Sequence, residues 1–304
     1  GTHGKTTTTA MLTKLLCDHY RCPTSIIGSI VKDFGSNFVA GDDELFVVEA
    51  CEYRDHLLKL APDILVITNI EWDHSDWFPD LKAVQQTFKK AIENLPSGGI
   101  LITDPTNINI APLVVARDDL TVVDYTLEPI GEIDLVGAFN RKNAQAAKAT
   151  ARCYQPNLST SDIDRSLQQF QGSWRRFEYK GVTKNGALVY DDYAHHPTAI
   201  RATLSAVRER FPDKELVVLF HPHLYSRTQS LFAEFAQALS LADQVYLLPI
   251  FPAREQAKDF PGVSSQALVK AINTISGNAQ KLSDFAEAKK VVQAGDVSSV
   301  VITM

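Results

Sequence analysis

Apolar residues occur in short continuous runs, each followed by polar residues and then by apolar positions at helical spacing. Such runs are typical of strands buried on both faces of a parallel sheet, and the spacing after them indicates amphipathic helices. In the first half of the chain, the predicted strands are 25–30, 45–50, 64–68, 100–102 and 121–125. The predicted helices are 6–19, one opened by Pro79, an Ala-rich one from Asn140 to Tyr154, and one after 159–162.

The same pattern begins again in the second half of the chain. Predicted strands are 187–190, 216–220, 245–250 and 300–303, and predicted helices are 197–209, 229–239 and 264–275. Strands that alternate with helices predict an α/β fold with a parallel or mostly parallel sheet. We therefore predict two α/β domains, 1–178 and 179–304.

Composition narrows the class of protein. Apolar residues make up 45% of the 304 positions, which is enough for two cores. A net charge of -6 argues against nucleic acid as the main partner. No apolar run approaches the roughly 18 residues of a membrane span, and nothing resembles a signal peptide. Cys17, Cys22, Cys51 and Cys153 show no zinc-site spacing, so we expect reduced thiols in a cytoplasmic protein.

The chain begins with Gly-Thr-His-Gly-Lys-Thr, a shortened relative of the phosphate-binding P-loop. Glycines allow backbone N–H groups to approach phosphate oxygens, a lysine adds positive charge, and a threonine hydroxyl can bind Mg²⁺. The expected ATP-binding residues here are Gly1, Thr2, His3, Gly4, Lys5, Thr6 and Thr7. The alternative is a Gly-rich turn that only caps a helix. No strand precedes the loop, so we expect the chain to be part of a longer protein.

Polar groups follow two of the predicted strands. Glu49 ends the run 45–50, and His74 lies among Asn69, Glu71 and Asp73 just after the run 64–68. The carboxyl ends of parallel strands are where α/β sheets bind ligands, so Glu49 and His74 are candidate metal ligands. The alternatives are a solvated carboxylate and a structural histidine.

Two further groups are candidates for binding. Asn140 and Asn143 share one side of a first helical turn, where their amides could contact a base or merely cap the helix. In the second half, polar side chains follow two strands that we expect to be neighbours. These side chains are Asp192, His195, His196, His221, His223 and Arg227.

Seven motifs in order resemble those of Mur ligases. They are Gly-Thr-His-Gly-Lys-Thr-Thr-Thr, Glu-Ala-Cys-Glu-Tyr-Arg, Thr-Asn-Ile-Glu-x-Asp-His, Asn-x-x-Asn, Arg-Arg-Phe-Glu, Asp-Asp-Tyr-Ala-His-His-Pro-Thr and His-Pro-His-Leu-Tyr-Ser-Arg-Thr. The resemblance implies a central P-loop ATPase-type domain with a parallel sheet, followed by a Rossmann-like α/β domain. It is greatest for the branch that joins L-alanine to UDP-N-acetylmuramic acid, using ATP and Mg²⁺ in the cytoplasm.

The resemblance also implies roles for individual residues. Lys5 would hold the phosphates, Thr6 and Glu49 one Mg²⁺, and Glu49 with His74 a second. Asn140 and Asn143 would contact adenine, Asp192 the ribose, and Arg176 a phosphate, with Arg175 as the reserve choice. The amino-acid substrate would lie among Tyr193, His195, His223 and Arg227, with Arg227 pairing its carboxylate.

The sequence departs from the family pattern in four places. Leu224 replaces an arginine that some relatives carry, and the stretch between Ile102 and Gly137 is short. We also expect this chain to lack the family's N-terminal UDP-binding domain and a C-terminal continuation. Three alternatives remain: a ligase that recycles murein tripeptide, a metal-dependent hydrolase using the second-half histidines, and an ATP-binding remnant without catalysis. The sequence indicates no oligomeric state.

Overall fold

The structure, a computed structural model, describes residues 1–114 and 117–304, apart from the side chains of residues 42 and 43. The chain divides into two compact units, 1–174 and 175–304. Both are built from strands and helices, which confirms the predicted α/β class. The first unit ends at Trp174, whereas we predicted a boundary near residue 178.

The first unit contains two three-stranded sheets, with strand orders β2-β1-β3 and β4-β5-β6. Its strands are β1 (Pro23–Val31), β2 (Ser36–Val39), β3 (Asp42–Val48), β4 (Ile64–Ile67), β5 (Ile100–Thr103) and β6 (Thr121–Asp124). The β4-β5-β6 sheet is entirely parallel, and β1 pairs parallel with β3 but antiparallel with β2. The carboxyl ends of β3 and β4 lead directly into the polar groups that the sequence singles out.

Two of the described helices of the first unit begin at a residue whose side chain caps the helix. The described helices of this unit are α1 (Lys5–His19), α2 (Leu81–Glu93), α3 (Ala111–Val114), α4 (Ala138–Tyr154) and α5 (Thr160–Gln168). The prediction that Pro79 opens α2 is wrong by two residues, because the Asp80 carboxylate accepts a hydrogen bond from the Ala83 N–H and caps the helix there. Ser159 caps α5 in the same way.

One face of the β2-β1-β3 sheet packs against α1, and this contact forms the core around the phosphate loop. Met11 and Leu15 of α1 are buried with Ile27 of β1 and pack against Val47 of β3. Phe46 points to the opposite face and is 55% exposed. The prediction that 45–50 is buried on both faces is therefore wrong, because α1 covers only one of them.

The second unit is a six-stranded sheet with the order β11-β10-β9-β12-β8-β7. Its strands are β7 (Glu178–Val182), β8 (Leu188–Asp191), β9 (Glu215–Phe220), β10 (Gln244–Leu247), β11 (Ala279–Lys281) and β12 (Ser299–Thr303). Its helices are α6 (Pro197–Arg210), α7 (Tyr225–Ser230), α8 (Phe232–Leu239), α9 (Ser265–Ile275) and α10 (Phe285–Ala294). Only the edge pair β7–β8 is antiparallel, so the prediction of a mostly parallel sheet is confirmed.

The cysteines differ from expectation. The chain leaves α1 at Tyr20 and reverses into β1 at Pro23, which brings Cys17 beside Cys22 in a disulfide. The prediction of reduced thiols is wrong for this pair, whereas Cys51 and Cys153 are free.

None of the helices that the structure describes combines the length and the apolar character needed to cross a membrane.

Candidate functional site

The phosphate loop turns into α1 at Gly4. Gly4 has φ 82°, in the left-handed region that glycine adopts without strain, and it is the N-cap of α1. The turn directs the first N–H groups of α1 toward the loop, where the positive end of the helix dipole favours an anion. Thr6 and Thr7, at the start of that helix, are buried.

The segment after β4 holds the loop in place. The His3 N–H donates to Asn69 Oδ1 (2.8 Å), and the His3 carbonyl accepts from Asn69 Nδ2 (3.0 Å) and Thr68 Oγ1 (2.6 Å). The Thr2 hydroxyl donates to the carbonyl of Glu71 (3.1 Å), whose own N–H donates back to Thr2 Oγ1 (2.8 Å). The Thr2 N–H donates to the Asn69 carbonyl at 3.1 Å. Gly1, Thr2 and His3 are thus fixed against the carboxyl end of β4.

Lys5 is held by a buried carboxylate. Its ammonium donates to Glu52 Oε1 at 3.0 Å, and also to the carbonyls of Gly1 (2.8 Å) and Thr2 (3.2 Å). Glu52 is 3% exposed, and its Oε2 has no hydrogen-bond partner among the described residues. Burial raises the pKa of Glu52, but the charge of Lys5, a second nearby positive charge and hydrogen bonds together outweigh burial and leave that pKa below its usual value. The Glu52 carboxylate is therefore ionised at neutral pH.

Thr6 and Glu49, which the family resemblance assigns to one Mg²⁺ ion, lie in hydrogen-bond contact. The Thr6 hydroxyl donates to Glu49 Oε1 at 2.9 Å, and the Gly28 N–H donates to Glu49 Oε2 at 2.5 Å. A hydroxyl and a carboxylate are the hard oxygen donors that Mg²⁺ prefers, and the unpartnered oxygen of Glu52 adds a third in the same loop region. The residues present therefore fit a magnesium ion.

Gly28 allows the approach of Glu49. A Cβ at position 28 would lie 2.5 Å from both carboxylate oxygens of Glu49, so Gly28→Ala must displace that carboxylate. We expect a loss of turnover of about ten-fold or more, with a change in the free energy of unfolding below about 1 kcal/mol, because the carboxylate end is flexible. Steady-state kinetics and chemical denaturation measure the two effects.

Gly131→Ala is the matched control for that variant. A Cβ there makes only ordinary contact with Asp164, at 3.4 Å. Equal activity of the two variants would contradict the assigned role of Gly28.

His74 lies beside the same carboxylate that holds Lys5. Its Nε2 is 4.0 Å from Glu52 Oε1, and its ring centroid is 4.9 Å from that of Tyr53. The backbone of His74 is left-handed, with φ 55°, and its N–H donates to Asp73 Oδ1 at 2.6 Å. Glu52 thus links the phosphate-binding lysine to the candidate metal-binding histidine.

Asn140 and Asn143 lie at the start of α4, and both are buried. Asn143 Nδ2 donates to Asn140 Oδ1 (3.3 Å), and Asn140 Nδ2 donates to the Val136 carbonyl (2.8 Å). Asn143 Oδ1 accepts from Thr8 Oγ1 at 3.4 Å and lies where a Cβ on Gly4 would be. The Asn143 amide therefore packs against the phosphate loop and donates to Asn140, a structural role that differs from the predicted contact with adenine.

In the second unit, two arginines flank one tyrosine. The guanidinium carbons of Arg175 and Arg176 each lie 5.2 Å from the centroid of Tyr193. Arg175 also donates from Nε to Asp191 Oδ2 at 2.9 Å. The Tyr193 carbonyl is 2.9 Å from His195 Nδ1, and the two rings pack at 4.8 Å. Arg176, Tyr193 and His195 therefore lie together, although the sequence predicted a phosphate contact for Arg176 and an amino-acid pocket for the other two.

Asp192 is buried within the same segment. Its Oδ1 accepts from the Phe177 N–H at 3.3 Å and its Oδ2 from the Thr203 hydroxyl at 2.5 Å. Burial raises the pKa of Asp192 above its usual value, although these bonds and Arg176 oppose the shift. Asp192 thus joins the start of the unit to α6, in addition to its predicted contact with ribose.

His223 and Arg227 face each other across one turn at the start of α7. Arg227 Nη1 is 3.4 Å from His223 Nδ1, and Arg227 is buried. Burial lowers the pKa of His223, and the charge of Arg227 lowers it further, so the imidazole is neutral near pH 7. Leu224, between these two residues, is buried and has a left-handed backbone with φ 71°.

The remaining histidines have separate partners. His196 Nδ1 accepts from the Thr198 N–H and caps α6, and His221 packs edge-on against Phe251 and Phe285. Each of these two imidazoles thus contacts a different set of neighbours.

Sequence reasoning gave no role to Glu52, Gly28 or Thr68. Glu52 follows Glu49 by three residues after a strand, a spacing that could have marked it as a second carboxylate of the site. Gly28 could not be found in this way, because its importance depends on how β1 pairs with β3.

Comparisons with known proteins agree with this geometry. Residues 1–129 match the model of the Mur ligase middle domain, and residues 175–304 match the Mur ligase, glutamate ligase domain. A UDP-N-acetylmuramate–L-alanine ligase of Lachnospira eligens is 37% identical over 334 aligned residues, which cover 100% of this chain and 72% of that protein.

Solved structures share the fold. The crystal structure of the UDP-N-acetylmuramate–alanine ligase of Thermotoga maritima has a TM-score of 0.76 at 23% identity, covering 100% of this chain and 70% of that one. A murein peptide ligase of Psychrobacter arcticus has a TM-score of 0.68 at 22% identity, covering 100% of this chain and 72% of that one.

Proposed function

The chain belongs to the Mur ligase family of ATP-dependent ligases, and we propose that it joins L-alanine to UDP-N-acetylmuramic acid in peptidoglycan precursor synthesis. The observation that carries the proposal is the phosphate loop, with Lys5 beside Glu52 and the Thr6 hydroxyl 2.9 Å from Glu49. The similarity over the whole chain to a relative with that name supports the choice of substrates. Because ATP is a substrate, we place the reaction in the cytoplasm.

The first step is phosphoryl transfer. The carboxylate of the muramic acid attacks the γ-phosphorus of ATP, the bond to the bridging oxygen breaks, and an acyl phosphate and ADP result. Lys5 would leave the loop carbonyls and hold the phosphates, and the N–H groups at the start of α1 would bind their oxygens. Thr6, Glu49 and His74 would hold Mg²⁺, which when bound neutralises charge on the phosphates.

The second step is attack by the amine of L-alanine on the acyl carbon, which expels inorganic phosphate. Arg227 would pair with the carboxylate of alanine, and Tyr193 and His195 would border the same substrate. His223 would border the same substrate through a neutral imidazole, because its pKa is lowered. Arg176 would contact a phosphate, Asp192 the ribose, and Asn140 and Asn143 the adenine.

Arg227→Ala should raise the KM for L-alanine about a hundred-fold, because a buried charged hydrogen-bond pair to the substrate carboxylate is lost. The KM for ATP should change less than about two-fold. Arg208→Ala is the control, since Arg208 pairs with Asp243 on the surface. An unchanged KM for L-alanine in Arg227→Ala would contradict the assignment of Arg227 to the carboxylate of alanine.

The experiment that tests the proposed function is an omission series with the full-length protein. ATP, Mg²⁺ and UDP-N-acetylmuramic acid are supplied with L-alanine, glycine, L-serine or murein tripeptide, and phosphate release is followed. Release should require both the sugar nucleotide and L-alanine. Release only with the tripeptide would favour the recycling ligase, and tight ATP binding without release would favour a non-catalytic remnant.

A further inference from the structure

A surface patch of two aromatic rings and one arginine, in which the tyrosine is half-buried, lies beside His74. It consists of Tyr53, Arg54 and Trp77, and we call it the aromatic patch. Trp77 is 45% exposed, and Arg54 is exposed as well. None of these three residues has a role in the phosphate or metal chemistry described above.

The aromatic patch is fixed to His74 on both sides. The Tyr53 ring packs on the His74 imidazole at 4.9 Å, and the Tyr53 hydroxyl donates to Asp76 Oδ2 at 2.8 Å. The backbone N–H of Trp77 donates to the His74 carbonyl at 2.8 Å. The Trp77 ring packs edge-on against the Tyr53 ring, with 6.4 Å between the ring centroids. The rings therefore keep a set position relative to the candidate metal ligand.

The guanidinium of Arg54 lies over these rings, and the Arg54 backbone is left-handed. It has φ 52°, in the left-handed region that non-glycine residues rarely adopt. Its guanidinium carbon lies 5.4 Å from the Tyr53 centroid and 5.9 Å from that of Trp77. No carboxylate among the residues that the structure describes pairs with Arg54. The patch thus offers a positive charge and flat apolar faces next to His74.

We propose that the aromatic patch binds the sugar ring and an adjoining acidic group of the nucleotide-linked substrate. The apolar C–H face of a pyranose can pack on an aromatic ring, and a guanidinium pairs with a carboxylate or diphosphate. This inference rests on the proposed function, in which the muramic acid carboxylate attacks ATP at the site that holds the candidate metal ligand His74.

Bond lengths support that placement. Three single bonds join the carboxylate carbon of muramic acid to its sugar ring, so the ring centre lies about 5 Å away from that carbon. A carboxylate beside His74 would therefore bring the sugar to the Tyr53 and Trp77 rings. L-alanine has no ring and a single methyl group, so contact with the aromatic patch would contribute little to its binding free energy.

The test uses Trp77→Ala, Trp77→Phe and Arg54→Ala in the full-length protein, with KM measured separately for UDP-N-acetylmuramic acid, ATP and L-alanine. Trp77→Ala and Arg54→Ala should each raise the KM for the sugar nucleotide about ten-fold or more. The other two KM values should stay within about two-fold. Trp77→Phe should recover most of the loss, because it restores an aromatic face.

Tyr20→Ala and Arg21→Ala are matched controls. Tyr20 is 43% exposed and packs edge-on against Tyr154, and Arg21 pairs with Glu44, all away from the phosphate loop. These variants should leave all three KM values unchanged.

The outcomes separate the two proposals. Wild-type protein that turns over these substrates, with an unchanged KM for the sugar nucleotide in Trp77→Ala and Arg54→Ala, would overturn the aromatic patch alone. Equal rises in all three KM values would overturn it too, because the effect would then be structural. Wild-type protein that releases no phosphate would overturn the proposed function, and with it the substrate assigned to the patch.

Discussion

Lys5→Ala should reduce ATP turnover by roughly a thousand-fold or more. The ammonium is the charge placed to stabilise the transferring phosphoryl group, and such electrostatic contacts act mainly in the transition state. The loss should therefore appear in kcat as well as in KM for ATP. Near-wild-type turnover would remove the basis for the phosphate-loop assignment.

The same variant should also lower the free energy of unfolding, by about 3 kcal/mol, because it leaves Glu52 charged and buried without its partner. Adding Glu52→Gln should restore much of that stability without restoring turnover, which separates catalysis from folding. Lys14→Ala is the control within α1, since Lys14 pairs with Asp18 four residues on and also with Asp33. It should lower the free energy of unfolding by about 1 kcal/mol and leave turnover unchanged.

Glu49→Gln should lower kcat about a hundred-fold. It should also raise the Mg²⁺ concentration that gives the half-maximal rate. A neutral amide keeps the size of the side chain but loses the charge that binds a divalent cation. Its NH₂ group also cannot accept from Thr6 or Gly28. Initial rates across a magnesium titration measure the effect.

Glu44→Gln is the control for Glu49→Gln. Glu44 lies on the same strand, β3, and pairs on the surface with Arg21. If both variants showed the wild-type magnesium requirement, Glu49 would not be a metal ligand.

The parts of the fold that depend on long apolar runs could be predicted from sequence. The runs 64–68 and 216–220 became β4 and β9, and α1 follows the phosphate loop as expected. The shorter elements β2 and β11 were missed, because three or four residues of mixed polarity carry no clear period. The predicted helix 229–239 proved to be α7 and α8, with a break at Leu231, where φ and ψ are not helical.

The candidate site was predictable in its residue types but not in its contacts. The motifs predict phosphate binding by Lys5 and Mg²⁺ binding by Thr6 and Glu49. The Lys5–Glu52 pair and the approach of Gly28 to Glu49 depend instead on pairing in space: Ile26 lies opposite Val48, which sets Gly28 beside the residue that follows β3. Likewise, the approach of Asn143 to Gly4 follows from α4 packing on α1.

The central claim is that the substrate carboxylate attacks the γ-phosphorus of ATP and forms an acyl phosphate. Its most direct test uses UDP-N-acetylmuramic acid labelled with heavy oxygen in the carboxylate, supplied with ATP, Mg²⁺ and L-alanine to the full-length protein. Mass spectrometry of the released phosphate should find one labelled oxygen per phosphate, because the acyl phosphate passes that oxygen to phosphorus. Phosphate released together with the ligated product but without label would contradict the account.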